Sequence, residues 1–117
     1  MNLITEENIE VKLLELVELR NARNEFELDL NYIALEKLRQ SNEAYRKIYE
    51  YFNDLSYSIY SYFKDKIDKI YSKNGKNDTV QLFYKIKESL QLDEKYEEAT
   101  GVIMFDLTVF TSNLIKK

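Results

Sequence analysis

Hydrophobic positions recur every three to four residues along most of this chain. No proline and only two glycines interrupt them, a pattern that predicts helices nearly throughout. The first predicted helix runs from about Glu6 to Ala22. Thr5 is its N-cap, and Glu6 and Glu7 sit in the first turn, where negative charge suits the helix dipole. Ile9, Leu13, Leu16 and Val17 form its inner face. Val11, Leu14 and Leu19 fall elsewhere around it, so this helix offers apolar side chains on more than one side.

From Asn21 to Tyr32 the pattern changes. Phe26, Leu28, Leu30 and Tyr32 alternate with polar residues, a strand-like period. A lone strand would have nothing to pair with. A helical turn or irregular linker is expected instead, then a second helix from about Asp29 to Arg39. Leu30, Ala34 and Leu38 would face inward there, with Ile33 and Leu35 beside them. One continuous helix from residue 6 to residue 39 is the alternative.

The most regular stretch follows Ser41, a good N-cap. Tyr45, Ile48, Phe52, Leu55, Ile59, Tyr62, Phe63 and Ile70 share one arc at 100° per residue. The helix would reach Ser72 or Lys73, about 45 Å at 1.5 Å per residue. Such length predicts a bend, a break near Ser56 to Ser61, or protrusion into an extended bundle or dimer. Asn74-Gly75-Lys76-Asn77-Asp78 reads as a loop, with Gly75 ending the long helix and Asp78 capping a fourth helix, about Thr79 to Leu90. Val80, Phe83, Ile86 and Leu90 would point inward from it.

Asp93 would cap a fifth helix from Glu94 to Ile115. Tyr96, Ala99, Ile103, Leu107, Phe110 and Leu114 make its main stripe; Val102, Phe105 and Val109 make a second. Two stripes predict central burial, the alternative being an interface between subunits. The fold class is therefore all-α: a four- or five-helix, bundle-like single domain over residues 1–117 with one long central helix. A chain of 117 residues suffices for one hydrophobic core.

Composition narrows the chemistry. Histidine, cysteine and tryptophan are absent, which rules out a Ser-His-Asp triad, a cysteine nucleophile, a Cys/His zinc site and a disulfide. The paired acids on the helices sit where surface charge normally sits. Asn74-Gly75-Lys76 lacks the further glycines and the Lys-Ser/Thr pair of a phosphate loop. No enzymatic role, cofactor or metal is expected. No stretch approaches the roughly 20 apolar residues of a bilayer span. With an acidic, polar opening in place of a signal sequence, a cytoplasmic location is expected.

Charge is uneven. Residues 1–60 carry 12 acids and 7 bases, a net of −5, and residues 61–117 carry 9 acids and 10 bases, a net of +1. Lys64, Lys66, Lys69, Lys73 and Lys76 concentrate in one short segment, a possible patch for a nucleic-acid-associated regulator. The overall charge of −4 makes a nucleic-acid partner the weaker expectation.

Ten tyrosines are the compositional oddity. Tyr49, Tyr57, Tyr60 and Tyr71 lie off the core arc of the long helix, on a neighbouring arc with Asn53 and Lys64. Tyrosine supplies large contact area with a polar tip, as protein interfaces use it. The expected function is a small non-enzymatic protein-binding protein. Its candidate contacts are that arc and the N-terminal acids Glu7, Glu10, Glu15 and Glu18. A protein partner is expected, with a homodimer also open. Lys outnumbers Arg 13 to 4, and Asn, Ile and Tyr occur 10 times each. Lys, Asn, Ile and Tyr have AT-rich codons, which suggests an AT-rich bacterial or phage genome; in a mobile-element setting, the role expected from charge and size is an inhibitor of a host enzyme or defence complex. An immunity or antitoxin protein is the alternative.

Overall fold

The computed structural model describes residues 3–91 and 94–116. These form five helices: α1 (Ile9–Glu27), α2 (Tyr32–Ser41), α3 (Glu43–Asn74), α4 (Lys76–Gln91) and α5 (Glu94–Ile115). The domain is all-α, a helix bundle with α3 longest and most central. α3 has 32 residues, or about 48 Å of helix, and it sets the 49 Å long dimension of the molecule. It neither breaks nor stops near Ser56 to Ser61.

α1 runs antiparallel to α3. Glu27 lies by Tyr45, Glu15 by Tyr51 and Glu6 by Lys66. α5 runs in the same sense as α3: Val102 and Asp106 lie by Asn53 and Tyr57, and Lys64 stands over the Phe110 ring. α1 and α4 each touch both α3 and α5, while α2 packs on α3. Leu13 and Leu16 of α1, Phe52, Leu55, Ile59, Phe63 and Ile67 of α3, Ile86 and Leu90 of α4, and Ala99, Ile103, Met104 and Leu107 of α5 build one core. Each large side chain there stabilises the fold by about 1.5–3 kcal/mol through burial.

Local chemistry explains where the elements begin and end. Thr5 accepts a bond from the Asn8 N–H on its hydroxyl, and the Asn8 side chain accepts one from the Thr5 N–H. This reciprocal cap closes an entry turn, and the regular helix starts at Ile9. α1 then continues to Glu27 and does not end at Ala22. Nothing in 22–27 breaks a helix, Arg23 pairs with Glu27 at 2.9 Å, and the Phe26 ring packs on Tyr45. The strand-like alternation was the end of this helix followed by a short link. Asp29 takes a left-handed conformation (φ 61°) in that link, which a short polar side chain tolerates.

The second helix starts at Tyr32, later than expected, because the Asn31 side chain accepts the Ala34 N–H. It buries none of its residues fully. Leu30 and Ile33, expected in or beside the core, are exposed. Asn42, and not Ser41, caps α3: its side-chain oxygen accepts the Tyr45 N–H at 3.0 Å, whereas the Ser41 hydroxyl turns back to the Lys37 carbonyl within α2.

The predicted loop at 74–78 shrinks to Gly75 alone. Its N–H closes α3 on the Tyr71 carbonyl, and its carbonyl accepts both the N–H and the hydroxyl of Thr79, so α4 begins at once. Gly75 has φ 84° and ψ −164°, a region open in practice to glycine only. Asp78 therefore lies inside α4, bonded to the Asn74 side chain, and caps nothing. α5 has the bounds read from the sequence; its expected cap, Asp93, lies outside the described residues.

Candidate functional site

The arc of off-core tyrosines divides. Tyr49, Asn53, Tyr57 and Tyr60 line one groove of about 340 Å³ with Arg23, Val102, Ile103 and Asp106. Tyr49 is not free within it. The Arg23 guanidinium of α1 stands 4.6 Å from its ring centre and the Arg39 guanidinium of α2 5.3 Å, two cation–π contacts on one ring. Tyr60 packs against the core. Tyr57 is 69% exposed and Asn53 is open to solvent. Lys64 stands over Phe110, and Tyr71 is half-buried further along α3. The exposed members of the arc are Asn53 and Tyr57.

The acidic set also divides. Glu7, Glu10 and Glu18 are exposed, with Glu25 added on the same side of α1. Val11 (62% exposed) and Leu14 (43%) stand among them. Glu15 turns the other way. It accepts a hydrogen bond from the Tyr51 hydroxyl and one from Lys12 at 3.2 Å. The Tyr51 bond holds its carboxyl below the ordinary range, against the opposing effect of burial, with Lys12 helping. Glu15 thus braces α1 on α3 and is unavailable as a docking acid.

A second brace joins the far ends of these helices. Glu27 accepts bonds from the Tyr45 hydroxyl and from Arg23, with Arg20 4.0 Å away. Burial works to raise its pKa, but those bonds and the two arginine charges bring it below the ordinary value. Burial, and then the Glu27 hydrogen bond and charge, push the Tyr45 hydroxyl up to about 12.

The lysines do not form one patch. Lys64 is on the α5 side of α3. Lys66 donates to Glu6 at 2.8 Å and lies over the Tyr62 ring. Lys69 lines a groove of about 530 Å³ together with Lys66, Leu3, Ile4 and Asp65. Lys76 is on α4.

The second stripe of α5 is where the expectation of central burial fails. Val102 and Phe105 are 69% and 68% exposed, and Val109 is 45%. α5 meets α1, α3 and α4 through its inner arc, and no helix of the described residues covers its outer side. Sequence reasoning found this stripe but had no way to count the helices left over to cover it. It missed the buried Ile67 and Met104 and the three buried threonines Thr79, Thr100 and Thr111. The Thr79 and Thr100 hydroxyls are hidden because each bonds a backbone carbonyl of its own or the preceding turn.

The chain matches no known family model, no curated protein and no solved structure. Among the described residues no group of acidic side chains is placed to hold a metal ion, and no helix is long and apolar enough to cross a membrane.

Proposed function

We propose that this is a small non-enzymatic protein-binding protein that engages a basic partner through the outer face of α1. The observation that carries the reading is the pair Val11 and Leu14, left uncovered amid Glu7, Glu10, Glu18 and Glu25. An apolar centre ringed by like charges has the layout of a small interface: contact area in the middle, steering charge at the rim. Asn53 and Tyr57 on α3 form a lesser contact surface away from it. An inhibitor of a host enzyme or defence complex, carried by a phage or mobile element, is the role that suits this charge and composition. An immunity or antitoxin protein is the alternative within the same class.

Photo-crosslinking tests the reading. A benzophenone side chain at Val11 should capture a basic protein from host lysate, and the same group at Lys47 should not. Capture should fall with added salt and in the Glu10→Lys, Glu18→Lys double variant. Capture equal at the two positions, or indifferent to both salt and charge reversal, overturns it.

A further inference from the structure

The outer face of α5 has more order than an exposed apolar patch. Glu98, Val102, Phe105, Val109, Ser112 and Lys116 follow one another at intervals of four, three, four, three and four residues, the spacing of a coiled-coil seam. At 100° per residue they fall within an arc of about 80°, and they span about 27 Å of helix. The charges along α5 are also sorted. Glu94, Glu97 and Glu98 outnumber Lys95 at its start and Lys116 follows its end, while Asp106 is the sole charge from Ala99 to Ile115. The Glu98 carboxylate is 60% exposed and takes its bonds from Arg20 and Asn24 on a single oxygen, Oε1.

We infer that a second copy of this chain covers the face, its α5 running antiparallel to the first. Set Phe105 opposite the second copy's Val109. Val102 then meets Ser112, and Glu98 meets Lys116. Reversal repeats each contact, so the seam closes in six layers about a two-fold axis level with Leu107. This is an isologous interface, in which one patch complements itself. The charge order selects the direction: a parallel pair would set Glu98 on Glu98 and Lys116 on Lys116, which like-charge repulsion opposes. An unrelated partner would have no need for a seam that is reciprocal about its own centre. The inference goes beyond the α1 reading and uses a different face, so either can fail alone.

Two measurements test it. Light scattering of the intact chain over a range of concentrations should show a dimer of about 28 kDa, twice the 14.1 kDa chain mass. Phe105→Asp should weaken the dimer at least about thirtyfold, as loss of an interface anchor does, with the helical circular dichroism unchanged. Should that variant lose its helical signal, Val109→Lys replaces it as the readout.

The chain has no cysteine, so the pairing direction can be trapped. Val102→Cys copies mixed with Ser112→Cys copies should form disulfides between unlike copies, and neither variant alone should do so readily. A mass of 14 kDa at every concentration overturns the inference. So does a dimer indifferent to both substitutions, or Val102→Cys pairing with itself as fast as with Ser112→Cys. A monomer would leave salt-sensitive capture at Val11 untouched.

Discussion

α1 and α5 each bury one side in the same core and each leave apolar side chains on the other, yet their outer faces differ in kind. On α1, Val11 and Leu14 sit among four exposed carboxylates. On α5, Val102, Phe105 and Val109 sit in a stretch where Asp106 is the one charge. A ring of like charge cannot pair with a copy of itself without repulsion, so the α1 face suits a partner of opposite sign. A neutral seam with opposite charges at its ends can pair with its own reverse. Exposed hydrophobicity alone would not separate these uses; the arrangement of charge around it does.

The largest effect that sharpens the contrast is between inner and outer positions of the same helices. Leu16→Ala and Leu107→Ala, both at fully buried sites, should each cost about 2–5 kcal/mol in chemical denaturation. Val11→Ala and Val102→Ala should stay within about 0.5 kcal/mol under conditions that keep the chain monomeric. A large loss at Val102 in the monomer would mean that the stripe has a structural job within the chain.

The brace between α1 and α3 comes next. Because the Tyr45 hydroxyl is raised to about 12 in the folded chain from an ordinary value near 10, its contribution is fully present below pH ~10 and is lost as pH rises from there toward 12. Stability should fall by about 2 kcal/mol across that window more than it does in Tyr45→Phe. On the acid side, Glu27 is lowered, so its contribution is present above the ordinary carboxylate range and disappears as pH falls through its folded value. Denaturation midpoints measured against pH for both chains check the two limbs.

Charge reversal at Glu10 and Glu18 should weaken partner capture by about 1 kcal/mol, a rim effect on association, and leave the α5 dimer unchanged. The smallest effect is at Asp106. Antiparallel pairing brings the two copies of this carboxylate toward each other across the two-fold axis. Asp106→Asn should therefore tighten self-association by roughly threefold while capture at α1 stays constant. Loss of dimer in that variant would argue against the antiparallel seam.

Much of the architecture was legible because the long helix repeats its apolar positions without interruption, from Tyr45 through Phe63, and because the apolar stripes of α5 run on across Gly101 with no proline to stop them. Junctions were harder to read, for a physical reason. Ser41 and Asn42 are both good caps by type, and which one serves depends on where the Ser41 hydroxyl turns. Asn74-Gly75-Lys76-Asn77-Asp78 has loop composition, but one glycine in the right conformation meets the bonding needs of both helices. The tyrosine arc was correct as an arc, yet the covering of Tyr49 depends on Arg39 of α2, and periodicity within α3 holds no information about that. The same holds for α5: its second stripe is plain in the sequence, while its exposure follows from how many helices remain to cover it.

The single-residue joint at Gly75 has a consequence for the order of assembly. With no slack between them, α3 and α4 bring their contacts together at minimal loop-closure cost, while the Arg20–Glu98 contact between α1 and α5 must close a span of 78 residues. The α3–α4 hairpin is therefore the expected folding nucleus and the docking of α1 onto α5 the last event. Substitutions at Ile67 and Ile86 should slow folding, and those at Leu13 should chiefly speed unfolding. The helix that carries the acidic face would then be the last to settle and the first to come loose, leaving the α5 seam on the earlier-formed part of the molecule.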